Sequence, residues 1–391
     1  MPFAVEQYES LSRNVRRFLW LVDRIGAVLF WPTRLLRSLF PLKNVDLERI
    51  ALVRCDGIGD LVNSIPAIHA VRKQFPDAQI DLVAAPWSRS VAEMIEGVDE
   101  VLIHAPWGYR VLRAVRVGGG LTEDLIFAAK MQRRQYDIAI DLRSDLFSLV
   151  PMAFWGIPRR IGRGTRGGGF AVTTEVAPVT PARQHEVDRT LAIVETVGAE
   201  STDRIPKLSV SDEDKERVSA LFRQSGLEID RCLLIAPGAQ WNWRRWLDDR
   251  FAALCKRVAA TGLTPVLIGA EHEVEHLESI RAGADGEAVN FAGKTSLRDL
   301  AAMFSGAAGF VAVESGPAAI ASAVDSRGVV LFGPGIPEHF GPLREEIAIV
   351  ARSCSAHPCY QRGDCCHQRA WCMAQIEVDD VWQALQQVLA K

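Results

Sequence analysis

The sequence predicts an α/β chain of two doubly wound parallel-sheet domains, preceded by a helical arm. Three observations predict it. Short apolar runs recur between residues 50 and 332, each followed by a loop and then an amphipathic stretch. Alternating β and α units of this kind imply a parallel sheet with helices on both faces. The rhythm breaks once, at the polar stretch 201–211, and then restarts. The length of 391 residues also suits two domains rather than one.

Composition narrows the field. Hydrophobic residues make up 48% and charged residues 24% of the chain, the balance of a globular protein rather than a disordered or collagen-like one. A net charge of −3 argues against general nucleic-acid binding. Eight cysteines are too sparse for a disulfide scaffold. Cys55, Cys232 and Cys255 are scattered, whereas Cys354, Cys359, Cys365, Cys366 and Cys372 crowd together without paired C-x2-C spacing. Structural zinc and purely structural cysteines both stay open there. No signal-peptide pattern is evident, so the expected compartment is the cytoplasm.

The arm, residues 1–48, is basic and amphipathic. Arg13, Arg16, Arg17, Arg24, Arg34, Arg37 and Lys43 outnumber Glu6, Glu9 and Asp23, and Phe18, Trp20, Leu21, Ile25, Val28 and Phe30 lie between them. Asp23 and Arg24 interrupt the best apolar window and Pro32 breaks it soon after, so no spanning helix is expected. Residues 1–45 either lie in a membrane interface or pack on the body or a partner.

The first domain is placed at 49–205. Residues 50–53 form a short, wholly apolar run, read as a buried parallel strand. A helix at 61–74 follows, kinked or begun at Pro66. Strands are expected at 80–84, 100–103 and 137–141, and helices at 88–95, 121–134 and 185–197. The Arg- and Gly-rich stretch 159–169 reads as a mobile loop, able to contact an anionic acceptor or simply solvated. The second domain is placed at 206–376. Its helices are expected at 212–224, 248–261, 272–281, 297–304 and after Gly316, and its strands at 232–236, 265–268, 310–313 and 328–332. A tail helix covers 377–391. Ligands of such sheets bind beyond the carboxyl ends of the strands, so a cleft between the two halves is the expected site.

Three loops carry chemistry. The first, Arg54-Cys55-Asp56-Gly57-Ile58-Gly59-Asp60, follows the first strand and lacks the third glycine of a dinucleotide fingerprint. Asp60 can take a proton from a hydroxyl, or simply cap the next helix. The second runs from Pro237 to Trp246, with Gly238 to admit a ligand and Arg244 and Arg245 to grip phosphate. The third, Val313-Glu314-Ser315-Gly316-Pro317, reads as a capped helix start, which favours anions.

Together these loops resemble glycosyltransferase family 9, best known for ADP-heptose:lipopolysaccharide heptosyltransferases. The matching segments are residues 52–62 with Pro66-Ala67-Ile68, Pro237-Gly238 through Trp246 with Phe251, residues 290–297, Ser315-Gly316-Pro317, Leu331-Phe332-Gly333-Pro334 and Cys372-Met373. In order, they cover roughly residues 49–390. The resemblance implies the GT-B architecture of two Rossmann-like domains facing across a cleft. It also implies inverting, metal-independent transfer of a sugar, with no cofactor, from a nucleotide donor such as ADP-heptose. The implied acceptor is a lipopolysaccharide-core or other cell-envelope saccharide at the inner face of the membrane. By resemblance Asp60 is the general base, with Asp56, Gly57 and Gly59 on the acceptor side. Gly238, Gln240, Arg244, Arg245, Glu273, Glu314, Ser315 and Gly316 fall to the donor. Glu314 stands where the family has Asp, and Ala319 where it commonly has His. Those departures leave a second reading, a non-catalytic binding or assembly protein that kept the scaffold.

Overall fold

The computed structural model describes residues 13–30, 47–106, 120–177, 185–354 and 371–390. The chain divides into two compact units, Met1–Arg204 and Ile205–Lys391. The cysteines at 359, 365 and 366 and the arm residues before 13 and at 31–46 lie outside the described residues.

Unit one holds a parallel sheet of β1 (Arg49–Arg54), β2 (Gln79–Ala84), β3 (Glu100–Ile103), β4 (Ile138–Asp141), β5 (Arg159–Gly162) and β6 (Thr174–Glu175). Its spatial order is β3-β2-β1-β4-β5-β6. Ile50 pairs with Ile80 on one side and Ile138 on the other. Both edges of β1 are therefore paired, and both its faces are buried, so its apolar run does not alternate. The expected helix at 61–74 is two helices, α2 (Ile58–Val62) and α3 (Ile65–Gln74). Pro66 occupies the first turn of α3, where its missing N–H removes no helical bond. The unit continues with α4 (Leu121–Arg133), α5 (Leu146–Ala153) and α6 (Glu186–Val194).

The stretch 159–169 is not the mobile loop its composition suggests. It supplies β5, and Arg160, Arg163 and Thr165 are buried. The Arg160 guanidinium donates to the carbonyls of Ala171 and Ile157, so a charge that reads as solvated serves as an internal brace. Gly167 and Gly168, at φ of +83° and +88°, turn the chain through the left-handed region that glycine tolerates.

The arm helix ahead of this sheet, Arg13–Leu29, explains that turn. One of its faces packs on unit one, with Val22, Ala27 and Phe30 against the core. Asp23, which breaks the apolar run in the sequence, is buried and accepts the Gly168 N–H at 2.7 Å. A Cβ on Gly26 would lie 2.4 Å from the Phe170 ring, so the helix approaches as closely as glycine allows. Its other face leaves Val15, Phe18, Leu21, Ile25, Val28 and Leu29 exposed. Among the described residues, no helix is long and apolar enough to cross a membrane.

Unit two repeats the plan. Its strands are β7 (Cys232–Ala236), β8 (Thr264–Leu267), β9 (Val289–Asn290), β10 (Gly309–Val313), β11 (Gly328–Phe332) and β12 (Ile347–Ala351), in the order β12-β11-β10-β7-β8-β9. The helices are α7 (Asp212–Gln224), α8 (Asp248–Ala259), α9 (Val274–Gly283), α10 (Leu297–Gly306), α11 (Gly316–Ser322) and α12 (Val378–Leu389). The tail helix α12 is part of this unit's core: Val381, Leu385 and Val388 are buried with Trp246 and Phe251. The Trp246 indole N–H donates to the Ile376 carbonyl at 2.8 Å.

The contact between Asp23 and Gly168 should be measurable. Asp23→Ala leaves a buried amide without its carboxylate acceptor, which should cost about 1–3 kcal/mol in urea unfolding. Amide exchange should accelerate across residues 13–30 and 163–170. Unchanged exchange there would mean that the arm is held by its apolar face alone.

Candidate active site

Both sheets have the strand order 3-2-1-4-5-6. In such sheets the chain leaves the first and fourth strands in opposite directions and opens a crevice at their carboxyl ends. In unit one that switch point lies between β1 and β4, and in unit two between β7 and β10. The candidate residues gather at these two places.

In unit one the organiser is Arg54, the last residue of β1, whose side chain is buried. Its Nε donates to Asp56 Oδ1 at 2.8 Å, its Nη1 to the Leu142 carbonyl at 2.6 Å and its Nη2 to Glu186 Oε1 at 2.8 Å. The same Nη2 lies 3.4 Å from Asp60 Oδ1. Burial alone would favour the neutral guanidine, but Asp56, Glu186 and Asp60 hold it charged, above its usual value. Asp56 also meets Arg143 Nη1 at 2.6 Å. Burial works against its charge too, yet Arg54 and Arg143 hold the Asp56 carboxyl below its ordinary range. With each oxygen on a guanidinium, Asp56 positions Arg54 and Arg143.

Asp60 is in a different condition. It does not cap α2 as an N-cap. Gly57 holds that position, and Asp60, three residues on, accepts the Gly57 N–H at 3.2 Å. Gly59 lies within the helix. Burial first, and then the charge of Asp56, push the Asp60 carboxyl up to about 6. Its side chain nevertheless keeps 31% of its surface open, so a hydroxyl can reach it. A partly accessible carboxylate with a raised pKa suits a general base near neutral pH. Glu186 goes the other way: despite burial, Arg54, Arg166 and Arg189 bring it to about 2.

In unit two the loops beyond three adjacent strands converge. Gly238 follows β7, Glu273 follows β8, and Glu314 and Ser315 follow β10. Arg244 Nη1 lies 3.5 Å from Glu314 Oε1, and Arg245 Nη2 lies 3.6 Å from Glu273 Oε1. A Cβ on Gly238 would sit 2.3 Å from Glu273 Oε1, so only glycine lets that carboxylate close on the loop. Arg244 Nε and Trp243 Nε1 are out of solvent and without a hydrogen-bond partner among the described residues. Unmet buried donors are costly, and these two suit an oxygen acceptor. Trp241 and Trp243 stack with ring centroids 5.0 Å apart, and Gln240 is exposed. The Ser315 hydroxyl donates to the Val313 carbonyl rather than capping α11, contrary to the capped start expected there. Gly316 opens α11, which has only seven residues, so the arginines supply most of the positive charge.

Arg143 and Glu186 are absent from the sequence-based list. Arg143 could have been found in Asp141-Leu142-Arg143-Ser144-Asp145, directly beyond the strand that neighbours β1. Nothing local marks Glu186, which reaches Arg54 from 132 residues away.

Two Rossmann-like sheets, each with its candidate residues at the switch point, give the GT-B plan. The chain belongs to glycosyltransferase family 9 (heptosyltransferase), whose family model matches residues 125–369. It is 26% identical over 316 residues to lipopolysaccharide heptosyltransferase 2 of Escherichia coli, covering 77% of this chain and 87% of that protein. It is 24% identical to lipooligosaccharide heptosyltransferase 2 of Haemophilus ducreyi, covering 88% of this chain and 99% of the relative. Among solved structures, a family 9 glycosyl transferase from Veillonella parvula matches with a TM-score of 0.74 at 18% identity, over 88% of this chain and 99% of the other. Heptosyltransferase II of E. coli matches with a TM-score of 0.71 at 22% identity, over 88% and 98%.

The raised pKa of Asp60 has a consequence for stability. Its folded value lies above the roughly 3.9 of an unfolded aspartate, so the fold is favoured while the group is protonated. That contribution is complete below pH 4 and is lost as pH rises through about 6. Asp60→Asn should therefore be more stable than the parent at pH 8, by about 1–2 kcal/mol in urea unfolding, with the difference vanishing by pH 4. A variant less stable at pH 8 would show that the Arg54 contact outweighs burial.

Proposed function

We propose that this chain moves a heptose from an ADP-linked donor to a lipopolysaccharide-core saccharide with inversion at the anomeric carbon. The observation that carries the reading is the pairing of chemistries: a reachable carboxylate poised near neutrality in unit one, and an unmet guanidinium donor beside an unmet indole N–H in unit two. The names of its relatives, lipopolysaccharide and lipooligosaccharide heptosyltransferases, supply donor and acceptor.

In this mechanism Asp60 accepts the proton of the acceptor hydroxyl as its oxygen attacks the anomeric carbon. The bond from that carbon to the diphosphate oxygen breaks, and ADP departs with its charge met by Arg244 and Arg245. Both arginines face carboxylates, Glu314 and Glu273, so an incoming diphosphate competes for their donors. Glu273 and Gln240 then meet the nucleoside, and Ser315 and Gly316 the diphosphate. With arginines neutralising the leaving group, the reaction needs no metal. Asp56, Gly57 and Gly59 shape the acceptor side.

The protein works in the cytoplasm at the inner face of the membrane. The exposed apolar stripe of the arm helix, beside exposed Arg17 and Arg24, is what an interfacial helix presents to anionic lipid.

With ADP-heptose and a truncated core acceptor, Asp60→Ala should lower kcat by about 10²–10⁴ while ADP affinity stays unchanged. The parent's rate should fall as pH drops below about 6. Arg244→Ala should weaken ADP binding about 10–100-fold in calorimetry. Normal turnover by Asp60→Ala removes the base assignment. ADP-heptose binding without any turnover in the parent would favour the non-catalytic alternative.

The membrane reading is tested with vesicles containing phosphatidylglycerol. The parent should sediment with them, and a Phe18→Glu/Ile25→Glu variant should stay in the supernatant. Equal sedimentation of the two would discard the stripe as the contact.

A further inference from the structure

Two carboxylates meet the same nitrogen in unit one. Arg54 Nη2 donates to Glu186 Oε1 at 2.8 Å and stands 3.4 Å from Asp60 Oδ1, outside a strong hydrogen bond. Among the described residues these are the two carboxylates at Nη2. The other guanidinium nitrogens are engaged elsewhere, Nε by Asp56 and Nη1 by the Leu142 carbonyl. Glu186 therefore takes the short contact, and Asp60 is left with the long one. The division follows access. The Glu186 side chain is buried, whereas Asp60 is the member of the pair that an acceptor hydroxyl can reach.

The fold holds this division in place. Glu186 opens α6 directly after His185, which caps the helix by accepting the Val187 N–H. One turn on, the buried Thr190 hydroxyl lies 3.4 Å from the carbonyl of Asn63, the residue that ends α2. The helix that carries Glu186 is thus set against the helix that carries Asp60. Against its burial, Arg54, Arg166 and Arg189 keep the Glu186 carboxyl ionised.

The charges around Asp60 come from four places: Arg54 on β1, Asp56 in the loop after it, Glu186 on α6 and Arg143 beyond β4. Burial, Asp56 and Glu186 oppose ionisation of Asp60, and the two arginines favour it. A carboxylate gripped by a guanidinium is a weaker base, because the cation stabilises its charged form. Glu186 meets the Arg54 charge first and at shorter range.

We propose that Glu186 is a positioning residue of the transfer reaction: by occupying Arg54 Nη2 it keeps this cation from closing on Asp60, which stays free to take the acceptor's proton. The role in transfer rests on the base assignment above, but the competition at Nη2 does not.

Glu186→Gln keeps the shape and an oxygen acceptor for Nη2 but removes the charge. In kcat/KM against pH, the acid limb should move from about 6 toward the roughly 3.9 of an ordinary aspartate. At pH 8, kcat should fall roughly 3–10-fold with KM little changed, because the base is weaker. Glu186→Asp, which keeps the charge on a shorter side chain, should fall between the parent and the Gln variant, and it carries the test alone if Glu186→Gln fails to fold. A second readout needs no turnover. In the parent, Asp60→Asn should gain stability between pH 4 and pH 8, because the folded value of Asp60 lies above the unfolded one. In the Glu186→Gln background the two values lie closer together, so that gain should drop by about half or more. A lower kcat with the limb still at about 6 and the gain undiminished makes Glu186 a structural support only and overturns the proposal. A chain that transfers no heptose but shows the diminished gain supports the competition at Nη2 and overturns only the transferase reading.

Discussion

Arg54 is a cation with almost no water around it, and the geometry of unit one follows from what it needs. A buried guanidinium must have its donors met and its charge matched. Three carboxylates and one carbonyl do this, drawn from the loop after β1, the start of α2, the end of β4 and the start of α6. Three pieces of chain far apart in sequence, at residues 54–60, at Leu142 and at Glu186, are thereby tied to one point at the carboxyl edge of the sheet. The arrangement is uneven: Asp56 and Glu186 bond closely to Arg54, whereas Asp60 stands at 3.4 Å. That looser partner is the one whose proton affinity is raised. One cation therefore both builds the site and separates its acids into structural and reactive members.

Unit two reaches the same topology with the opposite electrostatic emphasis. Its switch point has arginines beside carboxylates at 3.5 and 3.6 Å, distances too long for strong hydrogen bonds. Such contacts exchange readily for a better anion. A glycine stands where the Glu273 carboxylate closes on the loop, leaving room for that side chain.

The two-sheet architecture is legible in the sequence because strands covered on both faces appear as unbroken apolar runs, as at Ile50–Val53 and in β7 and β11. Four strands escape that signal. β6 and β9 are two residues long, β5 begins with two arginines, and β12 is an edge strand with partly exposed residues. At the site, the loops that follow first strands are legible because glycine and charge cluster there. What is not legible depends on distance along the chain. Asp23 looks like an interruption of an apolar helix until it meets Gly168, 145 residues later. The Arg- and Gly-rich stretch looks solvated until its arginines find carbonyls inside the fold. Composition reports how polar a segment is, and not whether partners wait for it elsewhere.

The placement of α12 imposes an order on biogenesis. Val381, Leu385 and Val388 complete an interior whose other members begin at Leu233. During translation, the core of unit two must therefore wait, partly uncovered, until residues 378–389 leave the ribosome. Unit one, compact in itself over Met1–Arg204, can consolidate while its successor is still being made. The nascent second half is then the stretch most exposed to chaperones and to self-association.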